Sequence, residues 1–266
     1  MNNQYIWQST DLYQLTWQDS VASTLLSEVS LLRGKLLGRL SMFGFKEQGD
    51  SMLDALTEEI VHSSEIEGER LNRDSVRSSV AQQLGLEYDG LPKADHYIEG
   101  VVQVMLDATQ HFRELLTKER LFGWHTALFP AGHSGMYKIT VGDWRKGKEA
   151  MQVVSGAMGR LKVHYEAPPS SEVPERMEQL LAWIADDTLT ADPLIKAAVA
   201  HLWFVTIHPF DDGNGRLCRT MTEMLLSRAD NTPQRYYSLS SEILNHRKDY
   251  YTQLEKAQCG KSDITE

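Results

Sequence analysis

The sequence has little cysteine and no excess of positive charge. Of its 266 residues only Cys218 and Cys259 are cysteines, far apart and in no metal-ligand spacing. Such a pair argues against a disulfide scaffold or a zinc ribbon and fits a reducing compartment. The net charge is −10, whereas a protein whose main partner is nucleic acid normally has a basic surface. The composition therefore indicates no nucleic-acid partner for this segment.

The sequence also lacks a signal peptide and a membrane-spanning run. Its first residues show neither a basic start nor an apolar stretch. The most apolar segment, from Leu194 to Ile207, is too short to span a bilayer and contains Lys196. A short basic run over 145–148 lies among acids and is typical of a solvated loop. We expect a soluble cytoplasmic protein without a membrane partner.

Apolar residues recur mostly at helical spacing, which predicts a mainly α fold. Gly68 is placed to cap the end of a predicted helix. Glycines and β-formers between about 135 and 165 predict two short strands around a turn. The predicted helices cover 20–42, 51–67, 73–86, 94–115, 117–129, 172–186, 193–208, 215–229 and 241–257.

A polar loop is placed between two of these helices. The helix that ends at His208 is apolar nearly all round, and Pro209 stops it there. Residues 211–215, Asp-Asp-Gly-Asn-Gly, follow, and the next helix brings Arg216 and Arg219. Converging N–H groups and the positive end of that helix would form an anion site. An acid beside such a site suggests Mg²⁺, and a histidine beside it is a reasonable general base.

Residues 208–219 resemble the signature of the Fic family: a His-Pro-Phe start, an acid, Gly-Asn-Gly-Arg, and a second arginine three residues on. Every signature position is filled. The resemblance implies a Fic-type helical bundle with a small β-hairpin, called the flap. It also implies a Mg²⁺-dependent protein adenylyltransferase, which moves AMP from ATP to a hydroxyl of a target protein.

The resemblance assigns a role to each signature residue. His208 would deprotonate the target hydroxyl, and Asp212 would hold the Mg²⁺. The departing pyrophosphate would be held by Arg216, and the γ-phosphate by Arg219. The other phosphate-binding residues would be Gly213, Asn214 and Gly215.

Two further regions are expected to line the site. The flap would position a segment of the target protein by strand addition, through Val153, Val154, Ser155 and Gly156. Tyr250 and Tyr251 lie where family members line the pocket for the nucleotide base. Ordinary packing of an amphipathic helix explains these two tyrosines equally well.

Residues 63–68, Ser-Ser-Glu-Ile-Glu-Gly, resemble the inhibitory motif of the family. The resemblance implies that this motif, with Ser63 at its start, places Glu67 against Arg219 and displaces the γ-phosphate. Loss of Glu67 should then increase transfer and bring self-modification. In some members the same glutamate also helps to remove AMP, and the sequence leaves this activity open.

The resemblance divides the chain into four parts. Residues 1–50 are an N-terminal helical leader, 51–90 an inhibitory helix region and 91–258 the catalytic core. Residues 259–266 are a tail that resembles an interrupted segment. Relatives with this leader often continue into a winged-helix domain. The target protein and the oligomeric state stay open.

Two other functions are weighed against AMP transfer. One is a metal-dependent phosphohydrolase built on His201, His208, Asp211 and Asp212. The other is a non-catalytic regulator that binds nucleotide.

Overall fold

The fold is mainly helical, as the sequence predicts, and it has two small antiparallel hairpins, one of which was predicted. The structure, a computed structural model, describes residues 5–9, 14–86, 92–155, 162–260 and 262–265. In this part of the chain the helices are α1 (Ile6–Ser9), α2 (Asp19–Leu40), α3 (Phe45–Ile66), α4 (Arg73–Gln83), α5 (His96–Gln110), α6 (Lys118–Leu128), α7 (Val173–Ala185), α8 (Pro193–Ile207), α9 (Asn214–Asp230), α10 (Leu239–Asn245) and α11 (Arg247–Gln258). The strands are β1 (His133–Ser134), β2 (Tyr137–Lys138), β3 (Gln152–Ser155) and β4 (Lys162–Glu166), and a 3₁₀ turn covers Ser170–Glu172.

The helix starts follow from local sequence. Asp192 accepts a hydrogen bond from the Leu194 N–H at 2.8 Å, and Pro193 fills the first helical position of α8. Proline is well suited there because its missing N–H would have no helical partner. Asn72, Asp95 and Thr117 cap α4, α5 and α6 in the same way. These caps fix where the helices begin.

Helix α8 lies in the core and packs chiefly against α9. Trp203, Phe204 and Ile207 of α8 are fully buried, as are Leu217 and Met221 of α9. Residues 199–207 of α8 are all buried, which explains the continuous apolar sequence of this part of the helix, while its first residues are partly exposed. The loop that joins the two helices is positioned by the most buried part of the fold.

The structure differs from the sequence predictions chiefly at four places, the first being the end of α5, which lies at Gln110 and not at 115. Helix α3 begins at Phe45, six residues before the predicted start at Ser51. The helix predicted over 241–257 is two helices, because the backbone leaves the helical conformation at His246 without a glycine or proline. The β1–β2 hairpin was not predicted, since pairs such as His133 with Lys138 are too short to show periodicity.

Strands β3 and β4 form the predicted hairpin. Gln152 pairs with Glu166 and Val154 with Val163, with an irregularity after Val153. The predicted flap residue Gly156 lies outside the described residues. None of the helices in the described ranges is both long and apolar enough to cross a membrane.

Candidate active site

His208 lies at the end of α8 in an unusual backbone conformation. Its φ of 52° and ψ of 60° are left-handed, a region that residues other than glycine seldom adopt. The following Pro209 disfavours a right-handed helical conformation at this position. Such a conformation persists only where the surrounding structure holds it in place. The backbone around His208 is therefore held by contacts from elsewhere in the fold.

Arg145 supplies these contacts. Its Nε donates to the His208 carbonyl at 2.7 Å, and its backbone N–H donates to the Pro209 carbonyl at 2.9 Å. Its Nη2 donates to the carbonyls of Ile207 and Pro168, so it also connects α8 to the segment that follows β4. Arg145 is 3% exposed, so the prediction of a solvated loop over 145–148 is wrong for this residue.

The ring of His208 is in the state that a general base needs. Its Nδ1 lies 3.3 Å from the Val205 carbonyl, and since a carbonyl can only accept, the proton is assigned to Nδ1. The unprotonated nitrogen is then Nε2. Burial lowers the pKa of His208 to about 4, which keeps the imidazole neutral near pH 7.

The signature loop is tied down by its own side chains. Asn214 accepts from the Phe210 N–H and donates to the Phe210 carbonyl, both at 2.9 Å. The Asn214 side chain is thus committed to the loop backbone. Gly213 has a φ of 80°, and a Cβ on it would lie 2.7 Å from the Phe129 ring. A glycine is needed there for both reasons.

His125 supports the loop from α6, and the sequence analysis missed it. Its ring stacks on Phe210 at 4.2 Å, and its Nε2 lies 3.2 Å from the Asp212 carbonyl. The Gly142 N–H donates to Nδ1 at 3.2 Å. This pair of contacts assigns the neutral ring with its proton on Nε2, and burial lowers its pKa to about 4. No local motif in the sequence marks this residue.

The two loop aspartates are held by neutral donors. Asp212 accepts from the Ser134 hydroxyl of β1 and from the Gly213 N–H, while Asp211 accepts from the Thr140 N–H at 2.8 Å. In the described part of the chain neither forms an ion pair with a cationic side chain. Mg²⁺ at nucleotide sites is usually bound by one or two carboxylates together with phosphates. The chemistry of the Asp212 carboxylate fits that role.

The residues of the phosphohydrolase alternative do not form one group. The buried ring of His201 is bonded to the Thr222 hydroxyl at 2.9 Å and to the Tyr250 hydroxyl at 2.7 Å. Among the described residues there is no cluster of three or more His, Cys, Asp or Glu that could hold a metal ion. His201 therefore serves packing between α8, α9 and α11.

Arg219 is bound by the end of α3. Its Nε donates to the Ser63 hydroxyl at 2.9 Å, and its Nη2 donates to the Ser63 carbonyl at 2.7 Å and to Glu67 Oε1 at 2.8 Å. Burial acts to lower the pKa of Arg219, but the Glu67 carboxylate, Tyr250 and Tyr251 together raise this pKa above its ordinary value. A Cβ on Gly215 would lie 1.9 Å from Glu67 Oε1, so the carboxylate lies directly on the first turn of α9.

Arg216 extends to a different place. Its Nη1 donates to Glu69 Oε2 at 2.8 Å and to the Tyr97 hydroxyl at 2.5 Å, and its guanidinium lies over the Phe129 ring at 5.0 Å. The two signature arginines therefore do not converge on one point. The sequence analysis did not identify Glu69 and Tyr97. The second acid of Glu-Gly-Glu, next to the inhibitory motif, is the sequence signal that could have indicated Glu69.

A cavity of about 650 Å³ connects these elements. One part is formed by Glu67, His208, Gly215 and Arg219, and another by Tyr250 and Tyr251 of α11. The flap residues Val153 and Val154 also line it. The cavity lining does not include Ser63, Asp212, Gly213, Asn214 or Arg216 among the described residues. Ser155 ends β3, opposite Lys162.

Comparison with known proteins finds similar families and proteins. Residues 115–226 match the model of the Fic/DOC family, and residues 5–86 match a domain of unknown function, DUF4172. Protein adenylyltransferase fic-1 of Caenorhabditis elegans is 38% identical over 95 residues, which are 35% of this chain and 18% of that protein. Protein adenylyltransferase Fic of Culex quinquefasciatus is 24% identical over 210 residues, 78% of this chain and 38% of that protein.

Solved structures show the same fold. A Fic family protein from Desulfovibrio desulfuricans has a TM-score of 0.64 at 23% identity, covering 92% of this chain and 68% of that one. Fic-1 from C. elegans has a TM-score of 0.58 at 21% identity, covering 90% of this chain and 67% of that one. Both structures therefore share the helical fold of this chain, in which the signature loop joins α8 and α9. The chain matches the Fic/DOC family over residues 115–226, and it spans less than half the length of the curated relatives that it matches.

Proposed function

We propose that this protein is an adenylyltransferase, which transfers AMP from ATP to a hydroxyl side chain of a target protein. The observation that carries the proposal is the cavity shared by His208, the first turn of α9 at Gly215, and Arg219. It brings together a neutral base, a helix N-terminus and a buried cation, which suits attack on a polyphosphate.

In the proposed reaction Nε2 of His208 accepts the proton of the target hydroxyl. The hydroxyl oxygen attacks the α-phosphorus of ATP, the bond from that phosphorus to the bridging oxygen of the β-phosphate breaks, and pyrophosphate leaves. The first turn of α9 stabilises charge that develops on phosphate oxygens. Tyr250 and Tyr251 are proposed to contact the base, and the flap residues of β3 the target.

Asp212 is the residue that we propose to hold Mg²⁺, which when bound would neutralise charge on the phosphates. Asp212→Ala should then lose metal-dependent transfer, while Asp211→Asn serves as the matched control because its carboxylate accepts from the Thr140 backbone. Transfer is measured against Mg²⁺ concentration for both variants. A shifted Mg²⁺ dependence in Asp211→Asn alone would assign the metal to the other aspartate.

Autoinhibition by Glu67 is the second part of the proposal. The Glu67 carboxylate accepts a hydrogen bond from the Arg219 guanidinium and lies against the first turn of α9. A triphosphate would bind both of these groups. Because one guanidinium and one helix N-terminus cannot serve both anions, Glu67 and the γ-phosphate compete. We propose that the protein has weak transfer until this carboxylate is displaced.

The proposed division of the chain is a leader, an inhibitory region, the Fic core and a tail. The match of residues 5–86 to one domain spans the proposed leader and most of the proposed inhibitory region. The match of 115–226 falls within the proposed core.

Labelled ATP tests the reaction. The Glu67→Gly protein is incubated with ATP labelled on the α- or the γ-phosphate, and protein-bound label is measured. AMP transfer predicts label on protein from the α-position alone. Label from the γ-position would indicate phosphorylation, release of free phosphate would indicate hydrolysis, and binding without incorporation would indicate a regulator. Loss of protein-bound AMP after ATP is removed would reveal the reverse activity.

A further inference from the structure

The segment Glu67-Gly68-Glu69 brings two carboxylates to the two signature arginines. Gly68 has a φ of 84°, and its N–H donates to the Glu65 carbonyl at 2.9 Å, while the Glu69 N–H donates to the Ser64 carbonyl at 3.0 Å. This is the glycine-based end of a helix that reverses chain direction. The turn directs Glu67 to Arg219 and Glu69 to Arg216, two different sides of α9.

Glu69, Tyr97 and Arg216 form a closed group of three. Arg216 Nη1 donates to Glu69 and to Tyr97, and the Tyr97 hydroxyl donates to the same Glu69 oxygen at 2.6 Å. Burial, together with the hydrogen bond to Glu69, raises the pKa of Tyr97, so the phenol stays protonated and can donate. Every bond in the group draws the guanidinium toward α5 and the end of α3.

The group leaves Arg216 incompletely satisfied. Arg216 is 8% exposed, yet its Nε has no hydrogen-bond partner among the described residues. A buried donor without an acceptor is unfavourable, and a phosphate oxygen is a strong acceptor for an arginine. Arg216 follows Gly215, which lines the cavity, but its own side chain does not line it. The guanidinium is thus next to the nucleotide site and turned away from it.

We propose that Glu69 and Tyr97 are positioning residues that hold Arg216 outside the nucleotide cavity. The Glu67–Glu69 segment then withholds both signature arginines from phosphate, one with each carboxylate. Release of Glu67 alone frees Arg219 and leaves Arg216 held. This inference rests on the proposed function only in assigning Arg216 to pyrophosphate.

The size of the effect follows from the exposure of Glu69. Its side chain is 39% exposed, so water and salt screen its pairing with Arg216. Partly exposed ion pairs contribute little, which corresponds to roughly a two- to five-fold change in an equilibrium. Loss of Glu67 should have a larger effect, because its carboxylate also covers the first turn of α9 at Gly215.

The test measures binding of inorganic pyrophosphate by calorimetry and AMP incorporation in parallel. The proteins are wild type, Glu67→Gly, Glu69→Gln, Tyr97→Phe and the double variant Glu67→Gly/Glu69→Gln. Glu99→Gln, which removes a charge near Tyr97 from a carboxylate that pairs with His96, is the control. Thermal melting checks that each variant is folded, and Tyr97→Phe replaces Glu69→Gln if the latter does not fold.

We expect Glu69→Gln to bind pyrophosphate about two- to five-fold more tightly than wild type, in line with the modest value of such pairs. The double variant should bind more tightly than Glu67→Gly, Tyr97→Phe should shift in the same direction by less, and Glu99→Gln should not shift. Unchanged or weaker binding in Glu69→Gln, with tighter binding in Glu67→Gly, would overturn the inference. Tighter binding without AMP incorporation in any variant would instead overturn the proposed function and leave the role of Glu69 standing.

Discussion

The signature loop and the Glu67–Glu69 segment contact each other but are held in different ways. The loop is fixed by buried groups, since His125 is fully buried and Arg145 is 3% exposed. In the segment, the Glu67 and Glu69 side chains are 34% and 39% exposed, while the paired arginines are 1% and 9% exposed. Buried contacts are costly to break, whereas exposed ion pairs are weak. The arginines therefore belong to a fixed site, and the acids can be released.

The largest expected effect comes from removing a fixed part of the loop. His208→Ala should lower AMP transfer by roughly 10² to 10⁴, since this is the usual contribution of a general base. ATP binding should persist, because α9 and Arg219 are untouched. His96→Ala, which removes a fully exposed histidine of α5, is the matched control. Transfer at the wild-type rate by His208→Ala would remove the assignment of the base.

Removing Glu67, which belongs to the releasable segment, should change AMP transfer in the opposite direction. Glu67→Gly should raise AMP transfer by at least about ten-fold and bring self-modification, because positioning of the phosphates alone changes such reactions by orders of magnitude. Arg219→Ala should not copy this gain, since it removes the anchor of the inhibitor and of the γ-phosphate together. Incorporation is compared at matched ATP and Mg²⁺. Equal activity in wild type and Glu67→Gly would refute autoinhibition and leave the role of His208 untouched.

The pH dependence sharpens the picture of the loop. Burial lowers the pKa of His208 to about 4; the Val205 carbonyl opposes this shift, Arg145 adds to it, and Glu67 and Asp212 oppose it. A base acts when unprotonated, so transfer by Glu67→Gly should stay level from pH 7 to about pH 5 and fall only below about pH 4, since this variant lacks the Glu67 carboxylate that raises the pKa of His208. A half-loss near the ordinary histidine pKa of about 6.5 would contradict this assignment.

The free energy of unfolding should also depend on pH, and measuring it provides the control for the activity profile. His125 and His201 also have pKa values lowered by burial, to about 4 and about 3. In the unfolded chain these rings take up protons below about pH 6.5, so the free energy of unfolding should fall from there toward pH 4. Circular dichroism at each pH separates loss of fold from loss of the base.

The sequence predicted those parts that depend on neighbouring residues. Asp192-Pro193 marks the start of α8, Gly68 ends the turn after α3, and the signature loop is continuous in sequence. Burial of α8 over residues 199–207 followed from the apolar composition of the helix. Each of these features is decided within a few residues, where spacing and side-chain chemistry are sufficient.

The features of the site that could not be predicted depend on contacts between residues far apart in sequence. Arg145 reads as part of a charged surface run, and only the folded chain shows its guanidinium bonded to backbone carbonyls at 168, 207 and 208. His125 reads as an ordinary helical histidine, and Tyr97 as a helical tyrosine. Arg216 and Arg219 are three residues apart on one helix, yet their long side chains reach different partners. Local pattern carries no information on which distant group completes such a contact.

The smallest expected effect tests how the fixed and releasable regions are coupled, at Ser63. The Ser63 hydroxyl accepts from Arg219 Nε at 2.9 Å, and Ser63 is 5% exposed, so it is a buried part of an inhibitory contact whose Glu67 side chain is 34% exposed. Ser63→Ala removes that acceptor and leaves the Ser63 carbonyl and Glu67 on Nη2. We expect a rise in AMP transfer of about two- to five-fold, corresponding to a net hydrogen bond of about 0.5–1 kcal/mol. Ser63→Thr, which keeps a hydroxyl, should stay near wild type.

In the Glu67→Gly background Ser63→Ala should bring no rise in AMP transfer, because the carboxylate that Ser63 helps to hold is absent. The cycle of four proteins gives the coupling between Ser63 and Glu67 directly. An equal rise in both backgrounds would mean that Ser63 acts on Arg219 independently of Glu67.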